Sequence, residues 1–203
     1  MNFDDPTHIF IIAEAGSNWK CGSYEDDLNQ SKNLIKYAAK AGADAVKFQI
    51  YRPETTYVSN PGGSKYLSYS ENIDTIFEKH AMPYDMIPKL VEFCKEENIL
   101  FMASSFSVED AKAINPFTKI HKVASFEINH IKLLEFLATT KKPILVSTGS
   151  SNYDEIDFCI NILKEKGCDE IILLQCTSKY PCSMESLNLS VIPKMKSKYN
   201  LPI

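Results

Sequence analysis

Short apolar runs rich in β-branched residues alternate along this chain with amphipathic stretches of helical period. That alternation restricts the fold more than any other feature of the sequence. Runs over 9–15, 45–51, 100–106, 120–125, 143–148 and 170–177 read as strands. The stretches between them place apolar residues three and four apart and read as helices. These cover 25–41, closed by Gly42, 85–95, with Asp85 as its cap, 108–114, 131–138, 153–166, closed by Gly167, and 191–198. A polar segment over 52–83 reads as an extended loop with a short helix near 73–80, and residues 201–203 open a seventh strand.

Strands alternating with helices imply a parallel sheet covered by helices. The strands are continuously apolar, as expected where both faces are buried. Either a doubly wound open sheet or a (β/α)8 barrel satisfies this pattern, and the polar residues favour the barrel. Glu14, Lys47, Gln49, Ser104, Lys122, Ser125, Ser147, Thr148, Thr177 and Ser178 stand at the C-terminal ends of nearly every strand. An open sheet concentrates its site at one switch point, whereas a barrel gathers it from many strand ends. The expectation is an α/β chain forming an incomplete (β/α)8 TIM-type barrel, with about six βα units and the start of a seventh strand. Residues 1–203 form one partial domain in this reading.

Of the 203 residues, 44% are hydrophobic and 24% charged, enough to bury a substantial core. The net charge of −4 argues against nucleic acid or an anionic membrane as the main partner. No run approaches the roughly 20 apolar residues of a membrane span, so the cytoplasm is the expected location. The six cysteines form no CxxC pair and no zinc spacing, and Cys94 and Cys159 read as buried thiols.

Lysines with hydroxyl and backbone N–H donors suit a phosphate or carboxylate. Glu14 and Glu127 suit sugar hydroxyls, water or protons. Other roles compete. Ser104, Ser125 and Ser147 could cap the helices that follow them. Lys47 or Lys122 could be a Schiff-base nucleophile. Cys176 reads as a buried filler, and His8, His80, His121 and His130 show no metal-ligand spacing.

Five segments resemble the sialic acid synthase family, which comprises N-acetylneuraminate synthase and its relatives. They are Ile11-Ile-Ala-Glu-Ala-Gly-Ser-Asn18, Ala41-Gly-Ala-Asp-Ala-Val-Lys-Phe-Gln49, Lys122-Val-Ala-Ser-Phe-Glu127, Lys142-Pro-Ile-Leu-Val-Ser-Thr-Gly149 and Leu174-Gln-Cys-Thr-Ser-Lys-Tyr-Pro181. The resemblance implies a barrel that condenses phosphoenolpyruvate with N-acetylmannosamine or a related amino-sugar aldose and releases phosphate. It implies that Lys47, Ser104, Lys122, Ser125, Ser147 and Ser178 hold phosphoenolpyruvate. Glu14 and Glu127 would be catalytic, and Gln49 and Tyr180 would face the sugar. The alternatives are a non-catalytic barrel fragment that binds a phospho-ligand, and a lysine Schiff-base aldolase.

The chain departs from the family pattern in places. Trp19 follows Asn18 where histidine is common, Ser105 replaces a proline, Gln175 a histidine, and Ser178 an asparagine of some members. The family also binds a divalent metal, manganese or magnesium, through two histidines beyond the sixth helix. No metal ligand is therefore expected within these 203 residues, nor the family's C-terminal antifreeze-like domain. The resemblance implies a homodimer for the full-length parent, and little synthase activity for this chain alone.

Overall fold

A computed structural model describes residues 3, 7–58, 62–64 and 68–203. Most of the acidic amino terminus, and residues 59–61 and 65–67 of the expected polar loop, lie outside the described residues. The chain divides into two compact units, residues 10–118 and residues 119–203 together with the first nine.

The first unit runs β1 (Ile12–Gly16), α1 (Tyr24–Lys40), β2 (Ala45–Ile50), α2 (Pro53–Thr56), β3 (Gly63–Ser64), β4 (Ser68–Asn72), α3 (Ile73–Lys79), α4 (Met86–Glu96), β5 (Leu100–Ser105) and α5 (Val108–Ile114). Strands β1, β2 and β5 are parallel and adjacent in that order. In-register pairing sorts their side chains by face. Val46, Phe48, Phe101 and Ala103 join Ile35 and Ala38 of α1 and Ile87, Leu90 and Cys94 of α4 in one buried cluster. The Phe48 and Phe101 rings stack at 6.0 Å. Truncating a ring so enclosed, as in Phe48→Ala, costs about 3–5 kcal/mol. The opposite face presents Glu14, Lys47, Gln49, Met102 and Ser104.

Helix α1 starts at a capping box between Ser23 and Asp26, and the chain leaves it through Gly42 at φ 84°. Two expectations need correction. Asp85 precedes α4 but caps no backbone N–H; its carboxylate instead accepts a 2.9 Å bond from the Tyr24 hydroxyl. The polar segment contains α2 and an antiparallel β3–β4 pair as well as the expected short helix.

The second unit runs β6 (His121–Val123), a 3-10 turn (Ser125–Glu127), α6 (Ile131–Thr139), β7 (Ile144–Ser147), α7 (Tyr153–Glu165), β8 (Ile171–Leu174), a second 3-10 turn (Met184–Ser186) and α8 (Val191–Tyr199). Strands β6, β7 and β8 are parallel and adjacent in that order. Every residue of β7 is buried, which is why the strand reads as an unbroken apolar run. Helix α6 lies beside α7, and their Leu133, Leu134, Leu137, Ile156, Cys159 and Leu163 are buried. A second capping box, between Asn152 and Glu155, starts α7.

The fourth and sixth expected strands end early. Strand β6 stops at Val123, and Ser125 opens a turn. Strand β8 stops at Leu174, because the polar side chains that follow bond to a later loop. Gln175 donates to the Leu187 carbonyl at 2.9 Å and Thr177 to that of Ser186 at 3.3 Å. The expected seventh strand is reduced to one ladder-like bond, from Leu173 N–H to the Pro202 carbonyl at 3.0 Å. Among the described residues no helix is long and apolar enough to cross a membrane.

Candidate active site

In the first unit the polar face of the sheet holds a connected cluster. Glu14 stands opposite Lys47 in register, and their side chains form an ion pair. Gln49, two residues along the same face, donates to the other Glu14 oxygen at 3.3 Å. Lys47 also reaches the Ser104 hydroxyl at 3.4 Å. Glu14 is therefore paired rather than stranded among apolar groups, and its side chain is 45% exposed. Gly16 leaves β1 at φ 57°, with the Glu14 carboxylate 3.3 Å from where a Cβ would project. A larger residue there would press on Glu14.

The second unit holds the other lysine. Lys122 is 6% exposed and donates to the Ser147 hydroxyl at 2.6 Å and to the Val123 carbonyl at 2.7 Å. The Cys176 thiol donates to the same Ser147 oxygen at 3.3 Å. One residue beyond Thr148, the Gly149 N–H donates to the Ser125 hydroxyl at 3.1 Å. A Cβ on Gly149 would stand 2.6 Å from the Ser178 hydroxyl oxygen and 2.9 Å from that of Ser125. Ser125 and Ser178 thus meet at a backbone that only glycine leaves open, and Cys176, which touches the same point, links them to Ser147 and Lys122. This is the donor chemistry an anion of phosphate or carboxylate type requires.

The capping role considered for the serines does not hold. Ser107 caps α5 and Asn152 caps α7, while α6 has no side-chain cap bond. Ser104, Ser125 and Ser147 are left with their hydroxyls in the two clusters. Glu127 is held by His130, whose Nδ1 lies 3.0 Å from a Glu127 oxygen. Tyr180 is 76% exposed.

Three residues that sequence reasoning did not single out for the site contact these candidate side chains. Cys176, read as a buried filler, is half-buried and its thiol bonds to Ser147. Gly149 lay inside a quoted motif, but only the backbone geometry shows what its bare Cα permits. His130 lies three residues from Glu127, a spacing at which side chains on one turn meet.

A pocket of about 320 Å³ opens nearby, lined in part by Thr148, Asn152, Tyr153, Gln175 and Cys176. Lys122, Ser125, Ser147 and Ser178 do not line it, so the donor cluster and not this cavity is the candidate anion site.

A family model described as the NeuB family matches residues 34–203. The chain belongs to the NeuB family. Pseudaminic acid synthase of Campylobacter jejuni is 34% identical over 210 residues, with 100% of this chain and 59% of that protein covered. The spore coat polysaccharide biosynthesis protein SpsE of Bacillus subtilis is 32% identical, with 94% of this chain and 50% of that protein covered. The chain thus spans between half and three fifths of the curated relatives it matches. The solved N-acetylneuraminic acid (sialic acid) synthetase of Leptospira borgpetersenii, in complex with citrate, matches with a TM-score of 0.82 at 33% identity, covering 96% of this chain and 63% of that one. The fold of this NeuB chain is α/β, an incomplete barrel of the (β/α)8 type, as the sequence pattern predicts.

The family resemblance implies a divalent metal. Among the described residues no three His, Cys, Asp or Glu side chains come together to hold one. Glu14 is engaged by Lys47 and Gln49, and Glu127 by His130. The described donor set of this NeuB chain does not fit a metal centre.

Proposed function

We propose that this NeuB-family chain carries the phosphoenolpyruvate-binding part of a nonulosonic acid synthase. The whole protein would condense that compound with N-acetylmannosamine or a related amino-sugar aldose. The observation that carries the reading is the Lys122 cluster, a buried lysine bonded to Ser147, which Cys176 connects to Ser125 and Ser178 at Gly149. A trianionic ligand calls for such cationic and hydroxyl donors, whose charge-assisted bonds are about twice as strong as neutral ones. Lys47 and Ser104 supply the same chemistry in the first unit.

In this reading C3 of phosphoenolpyruvate attacks the aldehyde carbon of the sugar, forming the new C–C bond. Water adds at C2 with loss of a proton, and phosphate departs with cleavage of the C–O bond, leaving a 2-keto acid. Glu14 and Glu127 handle the protons, while Gln49 and Tyr180 face the sugar. Lys122 already donates to two oxygen acceptors, an arrangement that suits anion binding better than attack on a carbonyl.

The test uses phosphoenolpyruvate carrying oxygen-18 at the bridging position, incubated with N-acetylmannosamine and the full-length protein. Label recovered in phosphate supports C–O cleavage. Label retained in the organic product contradicts it. Reductive trapping of a lysine adduct with pyruvate and borohydride would favour the Schiff-base aldolase instead.

A further inference from the structure

The Ser147 hydroxyl has one proton and two lone pairs. Lys122 Nζ approaches its oxygen at 2.6 Å, and Lys122 can only donate. The Cys176 thiol approaches the same oxygen at 3.3 Å, from a position after β8 and 29 residues along the chain. With Lys122 on one lone pair and the thiol proton on the other, both acceptor positions of Ser147 are filled. Its own proton then has to point elsewhere, and among the described residues no protein acceptor meets it. The converse arrangement, with Ser147 donating to sulfur, would place its only proton on a weak acceptor.

We propose that Cys176 is a positioning residue that fixes the polarity of Ser147, turning its O–H outward as a donor to the bound anion. The inference rests on the phosphoenolpyruvate reading above, because it names how one residue of that site is oriented. The placement agrees with it. The Cys176 Cβ lies 3.3 Å from where a Gly149 Cβ would project, beside the Ser125 and Ser178 hydroxyls, so the thiol is part of the same floor. Without the thiol, Ser147 regains a free lone pair and can rotate. An anion oxygen would then meet a lone pair for part of the time instead of a proton.

A double-mutant cycle read by isothermal titration of phosphoenolpyruvate tests this. Cys176→Ala should weaken binding about three- to tenfold, the range of one neutral hydrogen bond. Cys176→Ser, which keeps a donor, should restore most of that loss. In a Ser147→Ala background, Cys176→Ala should cost nothing further. Equal losses in both backgrounds would overturn the proposal, because Cys176 would then act independently of Ser147.

A ligand-free reading separates this inference from the functional one. The S–H stretching band of Cys176, assigned by its disappearance in Cys176→Ala, should move to higher frequency in Ser147→Ala as the thiol loses its acceptor. An unmoved band overturns the proposal even if phosphoenolpyruvate binds. A moved band, with wild type and Lys122→Ala binding phosphoenolpyruvate equally, supports the thiol–hydroxyl bond while removing the assigned ligand.

Discussion

Glu14 and Lys47 stand opposite one another on adjacent parallel strands, and their side chains form an ion pair on the face turned away from the helices. Gln49 holds the second Glu14 oxygen. Lys47 is therefore partly neutralised before any ligand arrives. In the proposed reading an incoming anion would compete with Glu14 for the same ammonium, so the two residues would not make the same contribution to binding.

Glu14→Gln separates those contributions. Without the competing carboxylate, Lys47 should bind phosphoenolpyruvate as tightly as in the wild type or more so. Turnover of the full-length protein should fall by about 10²-fold or more, the scale of a lost general acid–base group. Titration calorimetry and phosphate release measure the two effects. A tenfold loss of phosphoenolpyruvate affinity would place Glu14 among its ligands and contradict this division.

Gly149→Ala tests the floor of the second cluster. The added methyl would fall well inside contact distance of the Ser178 and Ser125 hydroxyls, so both must shift. Phosphoenolpyruvate affinity should drop at least tenfold while the thermal midpoint moves by only a few degrees, since the displaced groups are small and close to solvent. Unchanged affinity would mean that the hydroxyls do not bind the ligand.

Stability should depend on His121. Its side chain is fully buried, and burial, with nearby Lys142 adding to the effect, lowers its pKa from 6.5 to about 4. The folded state keeps the ring neutral where the unfolded chain takes up a proton. Stability is thus fully present above pH 6.5 and is lost as the pH falls toward 4. Between pH 7 and pH 5 this group should remove roughly 2 kcal/mol of unfolding free energy. Urea unfolding at the two pH values measures the loss, and His121→Gln should flatten the dependence. An unchanged slope in that variant would assign the acid sensitivity to other groups.

The βα alternation was legible because strands buried on both faces leave continuous apolar runs, as in Ile144 to Val146 of β7. The polar strand-end residues were legible for the same reason, standing out against apolar neighbours. Strand ends were not. Ser125 ends the segment that reads as the fourth strand, but its hydroxyl accepts the Gly149 N–H and the chain turns there. Gln175 and Thr177 look like the end of a strand, yet they bond to carbonyls about ten residues later. Asp85 has the residue type and place of a cap, but a tyrosine 61 residues earlier in the chain takes its carboxylate. Each of these depends on a partner that local pattern cannot supply.

The same limit explains the polar segment after β2. Its composition reads as a loop, but Arg52 donates to the Met82 carbonyl at 2.8 Å and lies over the Tyr84 ring at 3.9 Å. Tyr84 in turn donates to the buried Asp110 at 2.7 Å. Removing that hydroxyl in Tyr84→Phe leaves Asp110 short of a partner in a buried setting. It should cost about 1–3 kcal/mol of stability by denaturant unfolding, and a loss below a few tenths of a kcal/mol would show that the network does not anchor the segment.

The most direct test of the central claim is isothermal titration of phosphoenolpyruvate into the wild-type chain and its Lys122→Ala variant. The account predicts saturable binding to the wild type. It also predicts a loss of roughly 10- to 100-fold in the variant, as removing a charged hydrogen-bonding partner is worth about 1.5–3 kcal/mol. No binding to the wild type, or equal binding to both proteins, would contradict the assignment of Lys122, Ser125, Ser147 and Ser178 as the anion site.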